Sequence, residues 1–149
     1  VTILNNFLLR ALAIGLPLLA GGAALDSAQI EMGIFNFLIW PTWIEVVLAI
    51  LLLELIIWVQ HLITHKVPFL WRLHRVHHSD VDFDVSIAIR FHLVEIAFSM
   101  LLKIGAVYLI GPAVLAVILF EISLNALAMF NHANIALPKS LDKMLRCDL

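Results

Sequence analysis

The sequence predicts an all-α integral membrane protein with about four transmembrane helices and a histidine-rich helical layer on the cytoplasmic side. Three observations predict it. The composition is 63% hydrophobic and 13% charged over 149 residues, with a mean hydropathy of +1.05, against about half apolar and a quarter charged in soluble domains. Apolar runs recur at the length a bilayer demands of a helix, about 20 residues. The histidines gather between two of these runs and at the end of another.

The first apolar run covers 6–25 and contains Pro17, a residue expected to kink it. It is longer than a signal-peptide core. Gly21-Gly22-Ala23-Ala24 has the small residues of a cleavage site, but the spans that follow favour a membrane helix. Asp26, Gln29 and Glu31 interrupt the apolar pattern. A short run, 34–40, then ends at Pro41 and is expected at the membrane interface, with Trp40 and Trp43 as anchors. The second span is expected over 43–59 and the third over 93–110. Gly111-Pro112 makes a turn into the fourth, 113–130, so that the last two form a helical hairpin.

Between the second and third spans, 61–92 holds His61, His65, His74, His77, His78 and His92 with Lys66, Arg72, Arg75 and Arg90. Following the spans outward from this segment puts Arg10, Lys139, Lys143 and Arg146 on the same side, and His132 emerges there too. Every basic residue except Lys103 thus lies on one side, which the positive-inside bias makes cytoplasmic. The net charge of −2 and the lack of a basic patch exclude nucleic-acid binding. A single cysteine, Cys147, excludes a disulfide framework and a CxxC metal motif.

Five charges fall inside the spans: Glu45, Glu54, Glu95, Lys103 and Glu121. Each costs about 2.5–3.5 kcal/mol at a helix centre on insertion scales, so each is expected to be paired. The hairpin places Lys103 opposite Glu121 as an interhelical ion pair, with a proton path or substrate cavity as the alternative. Ser99 and Asn125 are expected to hydrogen-bond between helices.

His61-Leu62-Ile63-Thr64-His65 puts two imidazoles one turn apart on one helix face, as two ligands of one metal must be. Pro68 breaks that helix and suits the first position of another. On the new helix His74, His77 and His78 stand at i, i+3 and i+4, again on one face. The five imidazoles are expected to point into one pocket as metal ligands. Imidazole suits zinc, copper, iron and nickel alike. The HExxH pattern of zinc proteases, with its general-base glutamate, is absent.

These residues resemble the fatty acid hydroxylase and sterol desaturase superfamily of membrane di-iron enzymes over about 54–146. His61-Leu62-Ile63-Thr64-His65 is similar to its first histidine box. Val67-Pro68-Phe69-Leu70-Trp71-Arg72-Leu73-His74-Arg75-Val76-His77-His78-Ser79 is similar to its second. Arg90-Phe91-His92-Leu93-Val94-Glu95 and Phe130-Asn131-His132-Ala133-Asn134-Ile135-Ala136-Leu137-Pro138 resemble its later signatures, with Leu93 where proline is usual.

The resemblance implies two iron ions held by eight or more histidines, O2 as co-substrate, and hydroxylation or desaturation of an unactivated carbon of a fatty acyl, sterol or related lipid. Electrons would come from a separate electron-transfer protein. His132 joins the ligand set by this resemblance, with a hydrogen-bonded histidine at a helix end as its alternative role. His92 is a further candidate ligand, with support beside the ligands or along a substrate channel as its alternative role. Asp80, Asp82 and Asp84 are candidates to hydrogen-bond the far nitrogens of ligating imidazoles, with a solvated acidic loop as the alternative. The family carries a final HxxHH box after the stretch that resembles 138–146, so the single membrane domain of residues 1–149 is expected to be a fragment lacking it. The alternatives are a haem or metal-carrier protein, in which histidines face each other across helices, and a non-catalytic membrane protein.

Overall fold

The computed structural model describes residues 2–75 and 93–132, with side chains over 15–75 and 94–130. Among the described residues every regular element is helical: α1 (Thr2–Gln29), a short 3-10 turn (Ile34–Phe37), α2 (Thr42–Lys66), α3 (Pro68–His74), α4 (Leu93–Ile110) and α5 (Val114–His132). α1 packs on α4 and α5, while α2 packs on α3, α4 and α5.

Small residues line the seam between the helices. Ala20, Ala23 and Ala24 of α1, Ala49 of α2, Ala106 of α4 and Ala116 of α5 are buried with Leu53, Val107, Val117 and Phe120. Small side chains let backbones approach closely, which is how helices gain van der Waals contact in an apolar solvent. The outward faces are apolar as well, with Leu51, Leu55, Leu101, Leu109 and Ile122 exposed. α2 is 25 residues long with a hydropathy of 2.5, and 17% of its most apolar stretch is buried. A core helix of a soluble protein would bury that surface, so the exposure suits contact with lipid. Among the described residues α2 is the helix long and apolar enough to cross a membrane, and Val114–Phe130 is apolar but shorter.

α1 continues through Pro17 to Gln29, beyond the end of its apolar run. Its polar end is held from α4, where the Tyr108 hydroxyl donates to Asp26 Oδ2 at 2.6 Å. The turn between α4 and α5 is formed at Gly111, with φ 67°, and it lies against Gly33, with φ 105°. A Cβ at Gly33 would run into the Gly111 backbone, so this crossing needs glycine. Glu45, in the first turn of α2, accepts the Ala113 backbone N–H at 2.9 Å. It thereby satisfies a donor that the start of α5 leaves open.

The hairpin brings Lys103 Nζ to Glu121 Oε1 at 2.6 Å, as its spacing predicts. Ser99 Oγ donates across to Gln60 Oε1 of α2 at 3.2 Å. Two expectations need correction. Asn125 donates to Glu121 O of its own helix at 2.7 Å, because its short amide reaches the carbonyl one turn back. Trp40 turns inward against the buried Phe35, with ring centroids 5.8 Å apart, leaving Trp43, 71% exposed, as the outward ring.

Candidate metal centre

The site is built at the corner between α2 and α3. Val67 separates the helices in an extended conformation (φ −90°, ψ 115°), as the residue before a proline prefers. Pro68 then opens α3, where its missing N–H costs nothing. Hydrogen bonding runs on through the bend, with Val67 N donating to Ile63 O at 2.9 Å and Trp71 N to Val67 O at 2.8 Å. The chain therefore turns sharply, and the last residue of α3, His74, folds back onto the end of α2.

His61 and His65, one turn apart, meet there with Nε2 atoms 3.2 Å apart. His74 is fully buried against both. The ring centroids are separated by 4.7 Å for His61–His65 and 4.8 Å for each of the other two pairs. One donor nitrogen from each of the three rings lies within 4.8 Å of the others. Two imidazole nitrogens bound side by side to one ion at about 2.0–2.1 Å stand roughly 3 Å apart, so the His61–His65 separation fits a shared cation. The donor chemistry fits as well, since neutral imidazole is a ligand for late first-row metals. Trp71 lies over the cluster, 5.3 Å from the His65 ring.

Glu95, in the first turn of α4, reaches His74 from across the bundle, with Oε1 2.5 Å from Nδ1. Glu95 is buried, and its Oε2 has no hydrogen-bond partner among the described residues. Below the histidines a cavity of about 470 Å³ is lined by His61, Glu95, Ile57, Leu124, Leu127 and other residues of α2, α4 and α5. Its walls mix aliphatic side chains with Glu54, Ser99, Lys103 and Asn125. Glu54 Oε1 accepts the Ser123 hydroxyl at 2.8 Å.

Of the residues that the sequence nominates as ligands, His61, His65 and His74 come together. His77, His78 and His92 lie outside the described residues, as do Asp80, Asp82 and Asp84. His132 is the last residue of α5, and the description covers its backbone alone. The contact of Glu95 with His74 was not anticipated. Its signals in the sequence are an acidic residue just inside a span that leaves the histidine layer and the place of Glu95 at the end of the stretch 90–95 that resembles a family signature.

A family model for fatty acid hydroxylase matches residues 46–148, more than half of the chain. The ornithine lipid hydroxylase OlsE of Rhizobium tropici is 32% identical over 97 residues, which make up 64% of this chain and 29% of that protein. The chain thus spans under a third of the length of the curated relative it matches. No solved structure matches it. The family match takes in all seven histidines, including the three that meet at the α2–α3 corner, and the chain belongs to the fatty acid hydroxylase family.

Proposed function

We propose that the chain forms the membrane-embedded centre of an iron oxygenase that hydroxylates an unactivated C–H bond of a lipid. The observation that carries this reading is the convergence of His61, His65 and His74, from both histidine boxes, beside a partly aliphatic cavity of about 470 Å³. The family match and the lipid hydroxylase relative support it. Two iron ions are proposed, as the family resemblance implies, with His77, His78, His132 and His92 completing the ligand set. Iron held there would activate O2, the oxidant for C–H cleavage, with the two electrons that reduce its second oxygen to water coming from a separate redox protein.

The chain's own residues do the rest. His61, His65 and His74 offer imidazole lone pairs, which requires them to be neutral. In the tautomer that carries the proton on Nδ1, His74 donates a hydrogen bond from Nδ1–H to Glu95 Oε1. The aliphatic part of the cavity admits an acyl chain and excludes water from the reacting carbon. In this reading α1, α2, α4 and α5 all cross the membrane, and the histidine layer faces the cytoplasm, where the basic residues cluster. The relative's name makes a polar membrane lipid the first substrate to try.

The reading is tested on full-length protein purified from membranes, by elemental analysis and by mass spectrometry of the lipids of expressing cells. Iron at about two ions per chain and a lipid carrying one additional oxygen are expected. A protein that carries no transition metal overturns the proposal. A Soret band would point to haem instead, although His61 and His65, side by side on one helix face, leave no room for a porphyrin between them.

A further inference from the structure

We infer that Glu95 is the positioning residue of this centre: its carboxylate fixes the tautomer and orientation of His74 and places a balancing negative charge beside the metal. The inference rests on the metal-centre reading above and adds a role for a residue of α4.

The argument starts from burial. Glu95 is 8% exposed, and one of its two oxygens has no hydrogen-bond partner among the described residues. A buried carboxylate loses hydration worth several kcal/mol, and only a well-placed cation or a full set of hydrogen bonds offsets that loss. The lysine on the same helix does not provide the cation, because Lys103 Nζ is bound to Glu121 at 2.6 Å. Glu95 instead has one imidazole, at 2.5 Å. As a device for holding helices together this is poor, and a neutral side chain would cost less.

The same geometry serves a metal site well. A carboxylate at Nδ1 holds the proton there, which leaves Nε2 as the nitrogen with the lone pair, and it raises that nitrogen's basicity. His74 comes from a helix of seven residues, too short to set a ring orientation by itself. The carboxylate arrives from α4, so it ties the ligand to the body of the bundle. A dication bound by neutral imidazoles would also give the carboxylate a positive charge that no lysine or arginine among the described residues supplies through an ion pair.

The test is titration of the full-length protein, stripped of metal, with Co²⁺, whose visible absorption reports its ligand field. Glu95→Gln keeps size and one acceptor oxygen but removes the charge. It is expected to weaken Co²⁺ binding by about 10–100-fold, to alter the visible bands, and to leave the thermal stability of the metal-free protein unchanged or raised. Wild-type affinity with a loss of metal-free stability would show a structural role and overturn the inference. In a His74→Ala background, Glu95→Gln should lose only the smaller contribution of its charge, and a second full loss there would show that Glu95 does not act through His74. Glu95→Asp withdraws the same charge by one methylene and should fall between wild type and Glu95→Gln. It is the deciding variant if Glu95→Gln does not accumulate, and wild-type affinity in Glu95→Asp then overturns the inference. A wild-type protein that binds no Co²⁺ sinks the oxygenase reading with this one, whereas a binding wild type with an equally binding Glu95→Gln sinks this one alone.

Discussion

Two buried acidic residues anchor α4, and they are satisfied to different degrees. Eight residues along the helix from Glu95, Lys103 meets Glu121 at 2.6 Å, a full cation on a full anion, with the Asn125 side chain bonded to the backbone of the same turn. Glu95 meets His74 at 2.5 Å and keeps an oxygen without a hydrogen-bond partner among the described residues. The first pair is charge-neutral and can serve as scaffold without further help. The second is negative as long as the imidazole is neutral, and it sits beside two more imidazoles whose nitrogens are crowded together. A scaffold pair closes its electrostatics within the protein, whereas a binding centre is completed from outside.

Mutations should separate the two. The largest effect is expected from His65→Ala in the full-length protein, which removes a ligand at the crowded end and should abolish lipid hydroxylation and at least one equivalent of bound iron. Alanine favours the helix, so the amount of membrane-inserted protein should stay the same. Retained iron stoichiometry, read by elemental analysis, would erase the contrast. Next comes Lys103→Met, which leaves Glu121 buried without its cation and should cost about 3–5 kcal/mol, while Lys103→Met with Glu121→Leu should return close to wild type. Denaturant unfolding in detergent reads both. Metal affinity should follow neither, and a parallel loss of metal would mean that the two pairs form one network.

Smaller effects are expected away from both pairs. Gly33→Ala drives a methyl group into the Gly111 backbone and should lower stability by about 1–3 kcal/mol, with Co²⁺ binding intact. Ser99→Ala removes one interhelical hydrogen bond to Gln60 and should cost about 0.6 kcal/mol, near the limit of detection in the same unfolding experiment.

Much of this was legible in the residues. The apolar runs located the long helices, Gly111-Pro112 located the hairpin, and the hairpin then fixed Lys103 opposite Glu121. The four-residue spacing of His61 and His65 and the break at Pro68 located the corner where three imidazoles meet. Helical periodicity assigns a residue to a face of its own helix, but it does not say how far one helix is rotated or slid against another. For that reason Glu95 could be read as a charge in need of a partner and not as the partner of His74, 21 residues away. The same limit hid the inward turn of Trp40. Asn125 was misread for a local reason, since an amide near its own helix carbonyls competes with any partner across the bundle. His77, His78 and His92 lie beyond what the structure describes.

The corner between α2 and α3 has a kinetic consequence. Its three imidazoles come from a stretch of 61–74, joined by a single extended residue at Val67. Closing so short a loop costs little entropy, and contacts this local form fast and early. The nitrogen cluster can therefore assemble as soon as this corner has emerged during synthesis, before α4 and α5 exist. Glu95 arrives later with α4 and reaches His74, so the order of residues along the chain also sets an order of assembly: the nitrogen cluster first, its carboxylate contact second.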